Sequence, residues 1–135
     1  MIKAQNFNRR WPDIKDDILV GLETIHKNEK VVNGYFTNQV EEKLKKVSNR
    51  KYALLCRSGS HAITMALMAN NIGFGNKVIV PNYSCPATLS SVAVIGCIPV
   101  FCEIDQYGMM DPYRLQHLAD SGAKAVLATG LYGDM

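Results

Sequence analysis

The sequence predicts a parallel α/β sheet flanked by helices and preceded by a short helical arm. Three observations point there. From Lys51 onward, short apolar runs alternate with segments of helical length, the order that builds strand–helix–strand units with right-handed crossovers. Two of those runs, Val78-Ile79-Val80 and Ala125-Val126-Leu127, show no polar alternation, as strands covered on both faces do. A chain of 135 residues with 47% hydrophobic and 20% charged content also matches one ordinary folded domain. That composition excludes disorder as the main state, and the length leaves no room for two full domains.

Taken in order, Asp13 to Lys27 places Ile14, Ile18, Leu19, Leu22 and Ile25 at helical spacing behind Trp11-Pro12. Its acidic residues come early and Lys27 late, as the helix dipole favours. Asn33-Gly34 breaks the pattern, and Thr37 offers an N-cap for a second helix through about Val47. Residues 1–50 thus read as a helical arm and residues 51–135 as the α/β part. Strands are expected at Tyr52 to Cys56, Lys77 to Val80, Pro99 to Cys102 and Ala125 to Thr129. Helices are expected at Ser60 to Asn70, Pro86 to Ile95 and Asp111 to Ala119.

Fifteen Lys and Arg against 12 Asp and Glu leave a net charge of +3. Lys43, Lys45 and Lys46 follow Glu41 and Glu42 on one helix, a solvated mixed face rather than the one-sided basic patch that nucleic acid requires. The longest apolar stretch, Val92 to Cys102, is interrupted by Gly96 and Pro99 and reaches about half the length of a membrane-spanning helix. Met1 to Arg10 has no apolar run and no small-residue cleavage site, so no export signal is read and a cytoplasmic location is expected. Cys56, Cys85, Cys97 and Cys102 form no C-x-x-C pair; three of the four lie in or beside apolar runs and are expected to be buried thiols rather than disulfides. No cluster of His, Cys or carboxylates has metal-ligand spacing.

Three strand ends carry the chemistry. Leu54 to Ile63 runs as a strand, then the small-residue turn Arg57-Ser58-Gly59-Ser60, then a helix. Gly59 admits a close ligand, and the free amides near Ser60 and His61 at the helix start face it with the dipole favouring an anion, phosphate above all. Ordinary helix capping explains the same residues equally well. The backbone of His61 matters more here than its ring. His26 and His117 lie on charged helical segments and read as surface residues. The other two ends are Val78 to Thr88 and Leu127 to Gly133, at the carboxyl side of strands, where open α/β sheets bind ligands.

Five segments in order then carry a resemblance: Asn33-Gly34 with Val40-Glu41-Glu42, Tyr52 to Ser60, Asn76 to Pro81, Gly96 to Phe101, and Leu131-Tyr132-Gly133. Their order and spacing resemble the DegT/DnrJ/EryC1/StrS family of pyridoxal-phosphate sugar aminotransferases over nearly the whole chain. The resemblance implies the N-terminal portion of an aspartate-aminotransferase-like large domain of fold type I, incomplete here, with four strands against the family's seven. It implies pyridoxal 5'-phosphate as cofactor, its phosphate held by backbone amides after Gly59, at Ser60 and His61, and its ring packed against the position of Cys85. The family usually has an aromatic residue where Cys85 stands, and commonly a histidine where Gly130 stands.

The implied reaction moves an amino group from an amino acid, glutamate above all, to a keto group on a nucleotide-linked sugar. The family's Schiff-base lysine and pyridine-nitrogen aspartate come later than Met135, so no residue here is assigned as catalytic. The chain is expected to be an N-terminal part, whether a truncated product, a fragment or one piece of a split protein, and inactive alone. A family deoxysugar dehydratase, with histidine in place of the lysine, remains an alternative. So does a non-catalytic α/β module whose Ser58–His61 turn holds a phosphate ligand or merely caps a helix. The family's site lies between two subunits, which implies a homodimer with Trp11, Tyr35 and Phe36 as candidate interface residues, or else association with a missing C-terminal part. Core packing would account for those three residues as well.

Overall fold

A computed structural model describes residues 7–28 and 31–133; Met1 to Asn6, part of the segment searched for an export signal, lie outside the described residues. The chain divides between Leu55 and Cys56 into two compact units.

The first unit holds helices α1 (Phe7–Asn28) and α2 (Tyr35–Ser48). α1 begins earlier than the expected start behind Trp11-Pro12 and runs through Pro12. The fixed φ of proline is a helical value, so the backbone passes through it, giving up the bond its missing N–H would have made to the Asn8 carbonyl. The N-cap of α2 is Gly34, not Thr37. Asn33 takes a left-handed φ of 50° and Gly34 is extended, so the turn is complete three residues sooner and the Asn38 amide already reaches the Gly34 carbonyl at 3.2 Å. α2 ends at Asn49, whose φ of 51° is tolerated by asparagine. Its amide and that of Arg50 satisfy the Lys46 and Lys45 carbonyls.

The expected strand Tyr52 to Cys56 does not form. A strand needs a partner ladder, and this run has none; the Leu55 amide donates instead to Glu41 Oε1 at 2.8 Å.

The second unit is an α/β layer in chain order: α3 (Gly59–Ala69), β1 (Lys77–Pro81), α4 (Pro86–Ala93), β2 (Ile98–Cys102), α5 (Pro112–Ala119) and β3 (Ala125–Val126). The three strands are parallel in the order β2-β1-β3, as the alternation of runs and helices predicts. Central β1 is covered on both faces. Val78 and Val80 pack with Leu67 of α3, Val92 of α4 and Cys97, while Ile79, also fully buried, faces the α5 side, where it lines a cleft with Leu115 and Ala119.

β3 is shorter than the expected Ala125 to Thr129. Leu127 still donates to the Ile79 carbonyl at 2.9 Å, but the next bond of a parallel ladder would come from the amide of residue 81, and Pro81 has no N–H. All four cysteines are free. Two are buried, Cys97 and Cys102, rather than the three expected; Cys56 is half-buried because its strand is missing, and Cys85 is exposed. No described helix is long and apolar enough to cross a membrane.

Candidate functional site

The carboxyl end of the parallel sheet gathers the segments that the sequence singles out. α4 follows β1 directly, so it begins at that end. α3 leads into the amino end of β1 and therefore begins at the opposite, carboxyl end as well. The two helices lie side by side, with Thr64 Oγ1 of α3 donating to the Ser91 carbonyl of α4 at 3.1 Å. Two helix N-termini thus open on one side of the sheet, where dipole and unpaired amides favour an anion.

At the start of α3, Ser58 is extended and caps the helix: its Oγ accepts the His61 amide at 3.2 Å. The Ala62 amide is spent on the Ser58 carbonyl at 3.0 Å. The amides of Gly59 and Ser60 have no partner among the described residues. Of the sequence-predicted residues, Gly59 and His61 are exposed and Ser60 is half-buried. His61 contributes its amide to the cap, and a ligand can reach that amide only by displacing Ser58 Oγ. Gly59 has no positive φ, and a Cβ added there would meet nothing within 4 Å. Neither backbone conformation nor packing within the chain calls for glycine at this position. Arg57, exposed, adds a cation beside the open amides with no ion pair among the described residues.

At the start of α4, Cys85 is the N-cap residue and Pro86 the first helical residue. Cys85 is exposed. The Asn82 amide donates to the Cys102 carbonyl at 2.9 Å and the Thr88 amide to the Cys85 carbonyl at 3.0 Å, which pins the loop at both sides. Sequence reasoning missed a hydroxyl cluster here: Ser84 Oγ lies 2.9 Å from Thr88 Oγ1 and 3.5 Å from Thr129 Oγ1. The signal was the pairing of two strand-end segments, Val78 to Thr88 and Leu127 to Gly133, each rich in hydroxyls or glycine.

The lysines of this unit, Lys77 and Lys124, both stand at the amino ends of strands. The Lys124 amide bonds the Lys77 carbonyl at 2.8 Å, and Lys77 Nζ donates to the Ser121 carbonyl at 2.9 Å. Neither amine is at the mouth. Among the described residues no group of His, Cys, Asp or Glu is placed to hold a metal. The site can therefore hold an oxyanion through amides, but in this unit it offers no amine at the mouth for carbonyl chemistry.

The model of the DegT/DnrJ/EryC1/StrS aminotransferase family matches residues 12–135. The chain is 29% identical over 134 residues to a UDP-2-acetamido-2-deoxy-3-oxo-D-glucuronate aminotransferase of Pseudomonas aeruginosa, covering 98% of this chain and 37% of the relative. It is 30% identical over 133 residues to a UDP-N-acetyl-3-dehydro-alpha-D-glucosamine 3-aminotransferase of Acidithiobacillus ferrooxidans, covering 98% and 36%. Among solved structures, a DegT DnrJ EryC1 StrS aminotransferase from Brucella abortus superposes with a TM-score of 0.89 at 23% identity, over 100% of this chain and 38% of that one. NtdA from Bacillus subtilis with bound cofactor PMP superposes with a TM-score of 0.84 at 30% identity, over 90% and 28%. The chain spans little more than a third of the length of the curated relatives it matches.

Proposed function

Because the chain belongs to the DegT/DnrJ/EryC1/StrS aminotransferase family, we propose that it supplies the phosphate-holding part of a pyridoxal-phosphate aminotransferase acting on a nucleotide-linked keto sugar. The observation that carries this reading is the pair of unpartnered amides, Gly59 and Ser60, at the N-terminus of α3 on the carboxyl side of a parallel sheet. With no side chain at Gly59 and open space around its Cα, the residues present fit a phosphate. The amides of Gly59 and Ser60 bind it, Arg57 adds charge, and Cys85 offers a thiol to a ring face. When bound, the cofactor supplies an electron sink for moving an amino group. The UDP-linked 3-oxo and 3-dehydro sugars in the names of two relatives support the substrate class.

Lys77 and Lys124, the lysines of the α/β unit, are held at the wrong end of the sheet to serve as base or covalent anchor, so this unit by itself is not expected to turn over. The same placement favours a second reading, a non-catalytic module that keeps the phosphate cradle alone. Titration with pyridoxamine phosphate, followed by fluorescence, tests the cradle. Binding that Ser60→Asp weakens at least tenfold supports it, and no binding at millimolar ligand overturns it. Amino transfer to a UDP-3-keto sugar separates the two readings, because only the aminotransferase reading predicts activity once a complementary chain provides the lysine.

Assembly as a homodimer through the arm is part of the proposal. Trp11, Tyr35 and Phe36 are 46%, 55% and 38% exposed, too open to be the core of the arm itself. Sedimentation of Trp11→Ala and Tyr35→Ala beside the parent is expected to show weakened self-association; a parent that stays monomeric at high concentration refutes the dimer.

A further inference from the structure

We propose that Ser84 is a positioning residue, whose hydroxyl bridge to Thr88 and Thr129 holds the Cys85 segment in place at the mouth of the sheet. The proposal rests on the reading that a pyridoxal-type ring lies against Cys85. Ser84 has one hydroxyl proton. The Ser84 hydroxyl can donate to Thr129 Oγ1 at 3.5 Å and lies 2.9 Å from Thr88 Oγ1, where either oxygen can be the donor. The three hydroxyls line up as Thr88, Ser84 and Thr129, running from buried Thr88 in the first turn of α4 to the loop after β3. That loop needs the support, because the β3 ladder stops where Pro81 lacks an N–H, leaving it the Leu127 bond to Ile79. Cys85, next to Ser84 and exposed, is held through its carbonyl by the Thr88 amide and through its neighbour Ser84 by this bridge.

The test is site-resolved alkylation of the intact chain with iodoacetamide, read by mass spectrometry, with and without millimolar pyridoxamine phosphate. This ligand has no aldehyde to react with surface lysines. In the parent, ligand is expected to slow alkylation of Cys85 about fivefold or more. Ser84→Ala and Thr129→Val are expected to cut that protection to less than twofold, and Thr129→Ser to restore it, with Cys97 and Cys102 still unlabelled. A merely structural role would lower the melting temperature and leave the protection intact. Full protection in Ser84→Ala and Thr129→Val therefore overturns the positioning role while the ring-binding reading stands. Absence of protection in the parent overturns the ring-binding reading, and the positioning role with it.

Discussion

Gly59 is where stability and function are expected to part. It starts α3 with an ordinary negative φ and empty surroundings, so Gly59→Ala is expected to leave stability unchanged or raise it by up to about 1 kcal/mol. The added methyl stands where a phosphate would approach, and affinity for pyridoxamine phosphate is expected to fall. Urea denaturation and ligand titration on the same variant check the two halves. The buried thiols give a second expectation. Burial pushes the Cys97 thiol up, and burial followed by the Asp111 and Glu103 charges pushes Cys102 up. The unfolded chain releases these protons at lower pH than the native one, so native stability is whole below the ordinary thiol value of about 8.5 and falls as pH climbs towards the raised values. Urea midpoints between pH 7 and pH 10 are expected to decline less steeply in the Cys97→Ala/Cys102→Ala variant than in the parent.

At the level of elements, the helices of the α/β unit depend on small local devices. α5 has eight residues, a length with little intrinsic stability. Asp111 starts it, accepting the Tyr113 amide at 2.8 Å and the Arg114 amide at 3.4 Å, with Pro112 in the first helical position. Asp111→Ala is expected to cost about 1 kcal/mol, and Asp111→Asn much less; urea midpoints measure the difference. The sequence reading starts α5 one residue early, at Asp111, which caps the helix from outside it. Thr37 misled because a hydroxyl residue near a turn is a cap only where the backbone is still extended, and Asn33-Gly34 had already completed the turn. The strand at Tyr52 to Cys56 was misread for a different reason: apolar β-forming residues state a preference, while a strand exists only with a ladder beside it.

On the scale of the whole unit, the two edges of the sheet differ. On β2 the Ile98 amide points inward to the Asn76 carbonyl at 2.8 Å, so alternation turns the position of the next amide outward. That residue is Pro99, which has no N–H to offer and blunts the edge. β3 has no such guard. Leu127 donates inward, so the amides of Val126 and Ala128 face away from β1. Clefts of about 580 Å³ against α3 and about 360 Å³ against α5 flank it. Hydrogen exchange resolved by residue is expected to show Leu127 protected and Val126 and Ala128 exchanging fast, with the chain prone to associate along this edge. Slow exchange at Val126 and Ala128 in a monomer would show that the edge is already closed.

Periodicity and caps act within a few residues, so the parallel α/β class, the five helices, two full strands and the capped turn at Ser58 to His61 were legible in the chain alone. The motif order likewise identified the family from the chain alone. Features that need a partner distant in sequence emerged only with the folded sheet: which runs find a ladder, and that Pro81 stops β3 through a bond missing from another strand. So did the meeting of Ser84, Thr88 and Thr129, and the place of Lys77 and Lys124 opposite the mouth. Hydrogen bonds between segments depend on position in space, and position is set only once the sheet has chosen its order.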